Sequence, residues 1–160
     1  MLATYEPIAT TNGTGSSGVI TFSSIPSTYT DLVVVSSMIG DANAAVRMRF
    51  NGDTTNSNYS YILLYGSGSA AGSTTETATQ IYLGHANTST PNASIVSLNN
   101  YSNTTTYKSV LSRGNQVNQF VSEVTGLWRN TAAINSVTIA MDSGNFTTGA
   151  MFTLYGIKAA

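Results

Sequence analysis

Between residues 46 and 50 the chain reads Val46-Arg47-Met48-Arg49-Phe50, apolar and cationic residues in strict alternation, and Asn51-Gly52 follows at once. Successive side chains of an extended strand point to opposite faces, so Val46, Met48 and Phe50 are expected to face inward and the two arginines outward. Glycine at position 52 accepts a positive φ at little steric cost. The run is therefore predicted to end in a tight hairpin, with residues 59–65 (Tyr-Ser-Tyr-Ile-Leu-Leu-Tyr) as the returning strand.

The same period recurs along the chain between turn residues. Strands are predicted at 19–22, 31–39, 46–50, 59–65, 79–84, 93–99, 107–112, 120–128, 136–141 and 151–157, separated by clusters of Asn, Ser, Thr and Gly. The β-branched run at 31–39 suits a strand buried on both faces. The apolar strand 151–157 makes the end of the chain a structural element, as expected of a complete module. A helical competitor exists at 131–141, where Ala132, Ala133 and Ile134 favour it locally and Val137, Thr138 and Ile139 oppose it.

Nine or ten short strands without an amphipathic helix predict an all-β fold, an antiparallel β-sandwich of jelly-roll type. Two domain segments are expected. Residues 1–17, rich in Thr, Gly and Ser, read as an extended N-terminal arm or a first edge strand, and residues 18–160 read as one sandwich domain. Residues 66–75, of Gly, Ser, Ala and Thr with little else, read as a surface loop that is mobile or is ordered by a neighbouring subunit.

Composition narrows the function. Only 8% of the residues are charged and the net charge is −1, while Ser, Thr, Asn and Gly fill nearly half the chain. A disordered chain would carry few aromatic residues and a high net charge, whereas this one has nine Tyr and five Phe. With six basic and seven acidic residues there is no footprint for a phosphate backbone, so neither nucleic acid nor an anionic membrane is an expected partner. No stretch approaches the about twenty apolar residues that span a bilayer, and the first residues lack a secretory pattern. A polar surface with few charges is expected to associate, and a homo-oligomer follows.

Candidate chemistry is sparse. His85 is the single histidine and there is no cysteine. No Gly-x-Ser-x-Gly nucleophile turn occurs, so His85 reads as a solvated or hydrogen-bonded loop residue. Among Glu6, Asp31, Asp41, Asp53, Glu76, Glu123 and Asp142 the sequence sets no catalytic pair apart. Asp31, Asp53 and Asp142 stand where aspartate caps its own backbone, and Glu123 reads as a strand-face residue or half of a surface ion pair. The loops at 41–43 and 142–145 hold a few oxygen ligands without an EF-hand pattern. The sequons at Asn58, Asn103 and Asn145 follow from composition alone. Trp128, beside Arg129, reads as an interface anchor or a sheet-end core residue. Tyr59, Tyr61 and Tyr65 form a stripe that would suit a sugar-stacking platform or half-buried sheet surface. No catalytic, cofactor or metal residue is assigned, and no enzyme activity is expected.

Five strings occur in order: Ser24-Ile-Pro-Ser-Thr-Tyr-Thr-Asp-Leu-Val-Val-Val35, Arg49-Phe-Asn-Gly-Asp53 with Asn58-Tyr-Ser60, Asn100-Tyr-Ser-Asn-Thr-Thr-Thr106, Gly126-Leu-Trp-Arg129 and Leu154-Tyr-Gly-Ile-Lys158. Together they resemble small virion proteins of tailed bacteriophages, over nearly the whole chain, with the closing string the most specific. The resemblance implies a virion structural protein made in the bacterial host cytoplasm, and it brings no catalytic residues. Fibre proteins of that group usually begin with a long shaft, and this chain starts its domain within about twenty residues. A capsid decoration (cement) protein is therefore expected, trimeric, with the major capsid protein as partner. The alternatives are a tail or fibre-tip protein that contacts the host receptor, and a carbohydrate-binding module.

Overall fold

The structure is a computed structural model that describes residues 5–117 and 119–158. It has twelve strands: β1 (Tyr5–Asn12), β2 (Val19–Phe22), β3 (Asp31–Met38), β4 (Ala44–Phe50), β5 (Tyr59–Gly66), β6 (Ala71–Ala78), β7 (Ile81–Ala86), β8 (Asn92–Leu98), β9 (Lys108–Gln116), β10 (Phe120–Trp128), β11 (Val137–Met141) and β12 (Met151–Ile157). They form a β-sandwich of two antiparallel sheets. The large sheet runs β1-β12-β3-β8-β9-β10-β5-β6 and the small one β2-β11-β4-β7. From β1 to β5 the chain changes sheet at every connection, the wrapping expected of a jelly roll.

Alternation decides burial as the sequence implied. Val46, Met48 and Phe50 are fully buried, and the arginines between them are not. Phe50 sits 5.5 Å from the Trp128 ring and 6.2 Å from Tyr59. Trp128 is wholly buried, so of its two readings the sheet-end core residue is the one present. Its Nε1–H donates to Asp53 Oδ2 at 2.8 Å. The same carboxylate accepts from Asn58 Nδ2 and the Thr55 backbone N–H, each at 2.9 Å. Burial works to raise Asp53, and these three donors outweigh it and hold it at about 2.

Four expectations need correction or refinement. Asn51 and Gly52 both have positive φ (52° and 68°), yet no hairpin forms, because β4 lies in the small sheet and β5 in the large one. Asn51 is held there by the far segment: its Oδ1 accepts from the Asn135 and Ser136 N–H groups and its Nδ2 donates to Ala133 O. Residues 66–75 are not a loop, since β6 pairs with β5 from Tyr59↔Ala78 to Gly66↔Ala71 around a short turn. Of the two readings of residues 1–17, the edge strand is realised over Tyr5–Asn12, where β1 pairs with β12. In β3, Leu32, Val33 and Val34 are buried on both faces, but Val35 is 42% exposed. No helix forms among the described residues, and β11 takes the second half, Val137–Met141, of the helical competitor's span.

The closing string ties three parts of the chain together. Leu154 is in the core, and a Cβ on Gly156 would lie 2.3 Å from the Tyr29 ring, so only glycine lets that ring pack on β12. Lys158 Nζ donates to Glu6 Oε1 at 2.8 Å and lies 5.6 Å from the Tyr29 ring centre. Lys108 is a buried cation whose Nζ donates to the Thr106 and Thr131 carbonyls at 2.7 and 3.2 Å.

Candidate functional site

Two surfaces stand out. The first is the outer face of the large sheet. On β9 the inward residues Lys108, Val110 and Ser112 alternate with outward Ser109, Leu111 and Arg113, and β10 turns Val121, Glu123 and Thr125 outward in the same way. Register then lines up one row across the sheet: Leu64 beside Glu123, Glu123 beside Arg113, Arg113 beside Ile95, Ile95 beside Val35. Val35, Ile62, Leu64, Ile95, Leu111 and Val121 are exposed between 42% and 64%, which makes this face apolar where an antiparallel sheet normally turns polar residues to water. Its charges are Arg113 and Glu123, 3.7 Å apart and largely exposed, the surface ion pair anticipated for Glu123 and worth little to stability.

The second surface is a cleft of about 410 Å³ lined from β4, β5, β6, β7 and β10. Its origin is the mismatch in sheet width: eight strands face four, and the inner side of β5 and β6 extends past the small sheet. There Arg47 Nε donates to both Asp142 oxygens (2.9 and 3.0 Å), Arg47 Nη1 donates to the Tyr61 hydroxyl (3.0 Å), and that hydroxyl donates to Glu76 Oε2 at 2.5 Å. Burial and the Glu76 carboxylate push Tyr61 up to about 12. Burial works to lower Arg47, and hydrogen bonds to Asp142 and Tyr61 outweigh it. The network is internally satisfied and holds Tyr61 protonated.

His85 lies at the cleft, on β7 and not in a loop, with its Nδ1 2.7 Å from the Tyr82 hydroxyl and its ring edge-on to Phe120 at 5.5 Å. Burial lowers its pKa and raises that of Tyr82, so the hydroxyl keeps its proton and donates to Nδ1 of a neutral imidazole. The tyrosine stripe divides: Tyr59 and Tyr61 are buried, and Tyr65 is 41% exposed at the cleft rim.

The remaining sequence candidates are structural where the structure places them. Asp31 Oδ1 accepts from the Asn100 N–H. The loops at 41–43 and 142–145 do meet, but Asp41 spends its carboxylate on the Asn145 backbone and side-chain N–H groups. Among the described residues no group of three or more His, Asp or Glu side chains is placed to hold a metal ion. Sequence reasoning did not foresee the union of Arg47, Tyr61, Glu76 and Asp142, which comes from four separate segments; the signal available was an arginine in a strand otherwise destined for the core.

No family model matches the chain, and no curated protein matches it. Among solved structures it is similar to galectin LEC-6 of Caenorhabditis elegans, at 6% identity and a TM-score of 0.36, covering 94% of this chain and 96% of that one. A sucrose-6-phosphate hydrolase from Lactobacillus gasseri gives 10% identity and a TM-score of 0.35 over 88% of this chain, which spans only 28% of the hydrolase. The tripod from the baseplate of bacteriophage Tuc2009 gives 13% identity and a TM-score of 0.24, covering 94% of this chain and 63% of that one. Likeness at this level concerns the sandwich and carries no functional argument.

Proposed function

We propose that this chain is a structural subunit of a bacteriophage virion, a capsid decoration protein that docks on the outside of a shell of major capsid protein. The observation that carries the reading is the apolar outer face of the large sheet. The apolar residues lie on five adjacent strands, β3, β8, β9, β10 and β5, and five strand widths of about 4.8 Å by three residue rows about 7 Å apart give a face of about 500 Å². A stable interface uses ~800 Å² per partner, so this face supplies over half of one. Docking asks for buried area and not for chemistry, which fits a surface with few charges and a cleft whose polar groups satisfy one another. The resemblance to phage virion proteins supplies the partner.

The test is cryo-EM of the virion with antibody or mass labelling of this chain. A copy number matching the shell lattice, with β8, β9 and β10 against the capsid, is the expected result. A handful of copies at the tail would move the protein to the receptor-contacting alternative. Ile95→Asp and Val121→Asp should abolish binding to undecorated heads while leaving the sandwich folded; undiminished binding by both would remove the docking face.

A second reading rests on the cleft, where the exposed ring of Tyr65 stands beside Glu76 and His85 in a space suited to a neutral sugar ring. A glycan array with the wild type and Tyr65→Ala tests it. Retained signal confined to the wild type would establish the carbohydrate-binding alternative.

A further inference from the structure

The two sheets end in four edge strands, and three of them are guarded against pairing with another chain. Strand β1 carries Pro7, which has no N–H to donate, and its pairing with β12 slips between Pro7 and Ala9. Strand β2 is only four residues long. Strand β7 has its register broken opposite Val46 and Arg47, and Ile81 through Gly84 are buried.

Strand β6 has none of these protections. It runs eight residues, Ala-Gly-Ser-Thr-Thr-Glu-Thr-Ala, with no proline, no basic residue and unbroken pairing to β5. Its one charge, Glu76, is turned to the Tyr61 hydroxyl within the cleft. The side chains are small, so another backbone can approach, and among the described residues no strand lies beside its outer row of N–H and C=O groups.

We propose that β6 pairs antiparallel with β6 of a second copy, about a two-fold axis through Thr75. The strand complements itself. Because side chains alternate between faces, a two-fold axis normal to the sheet must set one residue opposite its own copy. With Thr75 at the axis, Ser73 meets Thr77, Gly72 meets Ala78 and Thr74 meets Glu76. No like charges are opposed, and the central Thr–Thr pair is of the kind that stabilises cross-strand contacts. A net charge of −1 per chain adds little repulsion. The isologous pairing uses up the unguarded edge on both copies, so the assembly closes as a dimer and not as the trimer anticipated from the resemblance. Both apolar outer faces then lie on the same side of one continuous sheet. The inference stands without the virion reading, since it needs only β6.

The chain has no cysteine, so a single introduced thiol reports one position. Thr75→Cys is expected to form a disulfide-linked dimer under mild oxidation, whereas Thr125→Cys, at the centre of the apolar face, is expected to stay monomeric in the same gel. Light scattering should give the dimer mass for the wild type, and Thr75→Lys, which opposes two like charges at the axis, should weaken dimerisation at least about tenfold with an unchanged circular dichroism spectrum. A Ser73→Lys, Thr77→Lys double variant opposes like charges at the two flanking pairs and provides a second test if Thr75→Lys folds poorly. A monomeric wild type at the solubility limit overturns the proposal, as does a dimer indifferent to both the Thr75→Lys and the double variant or one crosslinked through position 125. Each of these outcomes leaves binding to virion heads to be judged separately.

Discussion

Asp53→Ala should destabilise the protein by about 2–3 kcal/mol, although Asp53 lies on the connection between the sheets and not in the core. The Trp128 indole is buried, so removing its acceptor leaves an unsatisfied donor at a cost of about 1–3 kcal/mol. The freed Thr55 N–H and Asn58 side chain are near water and add only about 0.5 kcal/mol. For a domain of this size the loss lowers Tm by about 4–12 °C. Trp128→Phe removes the donor as well, so a double-mutant cycle should return a coupling of at least about 1 kcal/mol.

Asp53→Asn isolates the charge. The carboxylate is held at about 2 against an ordinary 3.8, so its folded pKa is depressed. The stability it contributes is full above the unfolded value and disappears as pH falls through the folded one. Taken directly, the shift is about 2 kcal/mol; with the carboxylate partly open to water and screened, about 1 kcal/mol remains. Urea unfolding followed by far-ultraviolet circular dichroism, at neutral pH and again near pH 1, measures all four variants, the double mutant included. A coupling under about 0.3 kcal/mol, or an advantage over Asp53→Asn that persists below the folded pKa, would refute the reasoning.

Two further outcomes follow from burial. Phe50→Ala removes a fully buried ring between Tyr59 and Trp128 and should cost about 3–5 kcal/mol in denaturant unfolding; a cost near that of a surface change would mean the aromatic cluster is not a packed core. Lys108→Met keeps the buried stem but orphans the Thr106 and Thr131 carbonyls, so about 1–3 kcal/mol should be lost, and a more stable Lys108→Met variant would show that the ammonium is an uncompensated burden.

The sequence spoke clearly wherever a strand had one wet and one dry face. Val46 to Phe50 and Phe120 to Trp128 were legible because polarity alternates with the pleat, and burial follows it residue by residue. Strand β6 was not, since Gly, Ser, Thr and Ala bury little on either side, and only its pairing to β5 makes it a strand. Asn51-Gly52 showed a tight turn correctly but not its destination. A dihedral preference is local, whereas the choice between sheets is made by residues 133–136, far along the chain. Lys108 was hidden because a cation in a strand reads as a solvated residue unless two carbonyls await it. The cleft was hidden for a related reason: no two of Arg47, Tyr61, Glu76, His85 and Asp142 share a segment.

The place of β12 has a consequence for how the protein is made. It separates β1 from β3, so Tyr5 waits for Ile157 and Val34 waits for Leu154. During synthesis one flank of β3 stays bare until β12 has cleared the ribosome, leaving its valine run in reach of neighbouring nascent chains. Such end-to-end pairing makes for slow folding. Premature termination anywhere before residue 151 would release a polypeptide whose larger sheet ends on a bare β3 with β1 left unpaired, and a translating cell would meet that product as aggregate rather than as a shortened subunit.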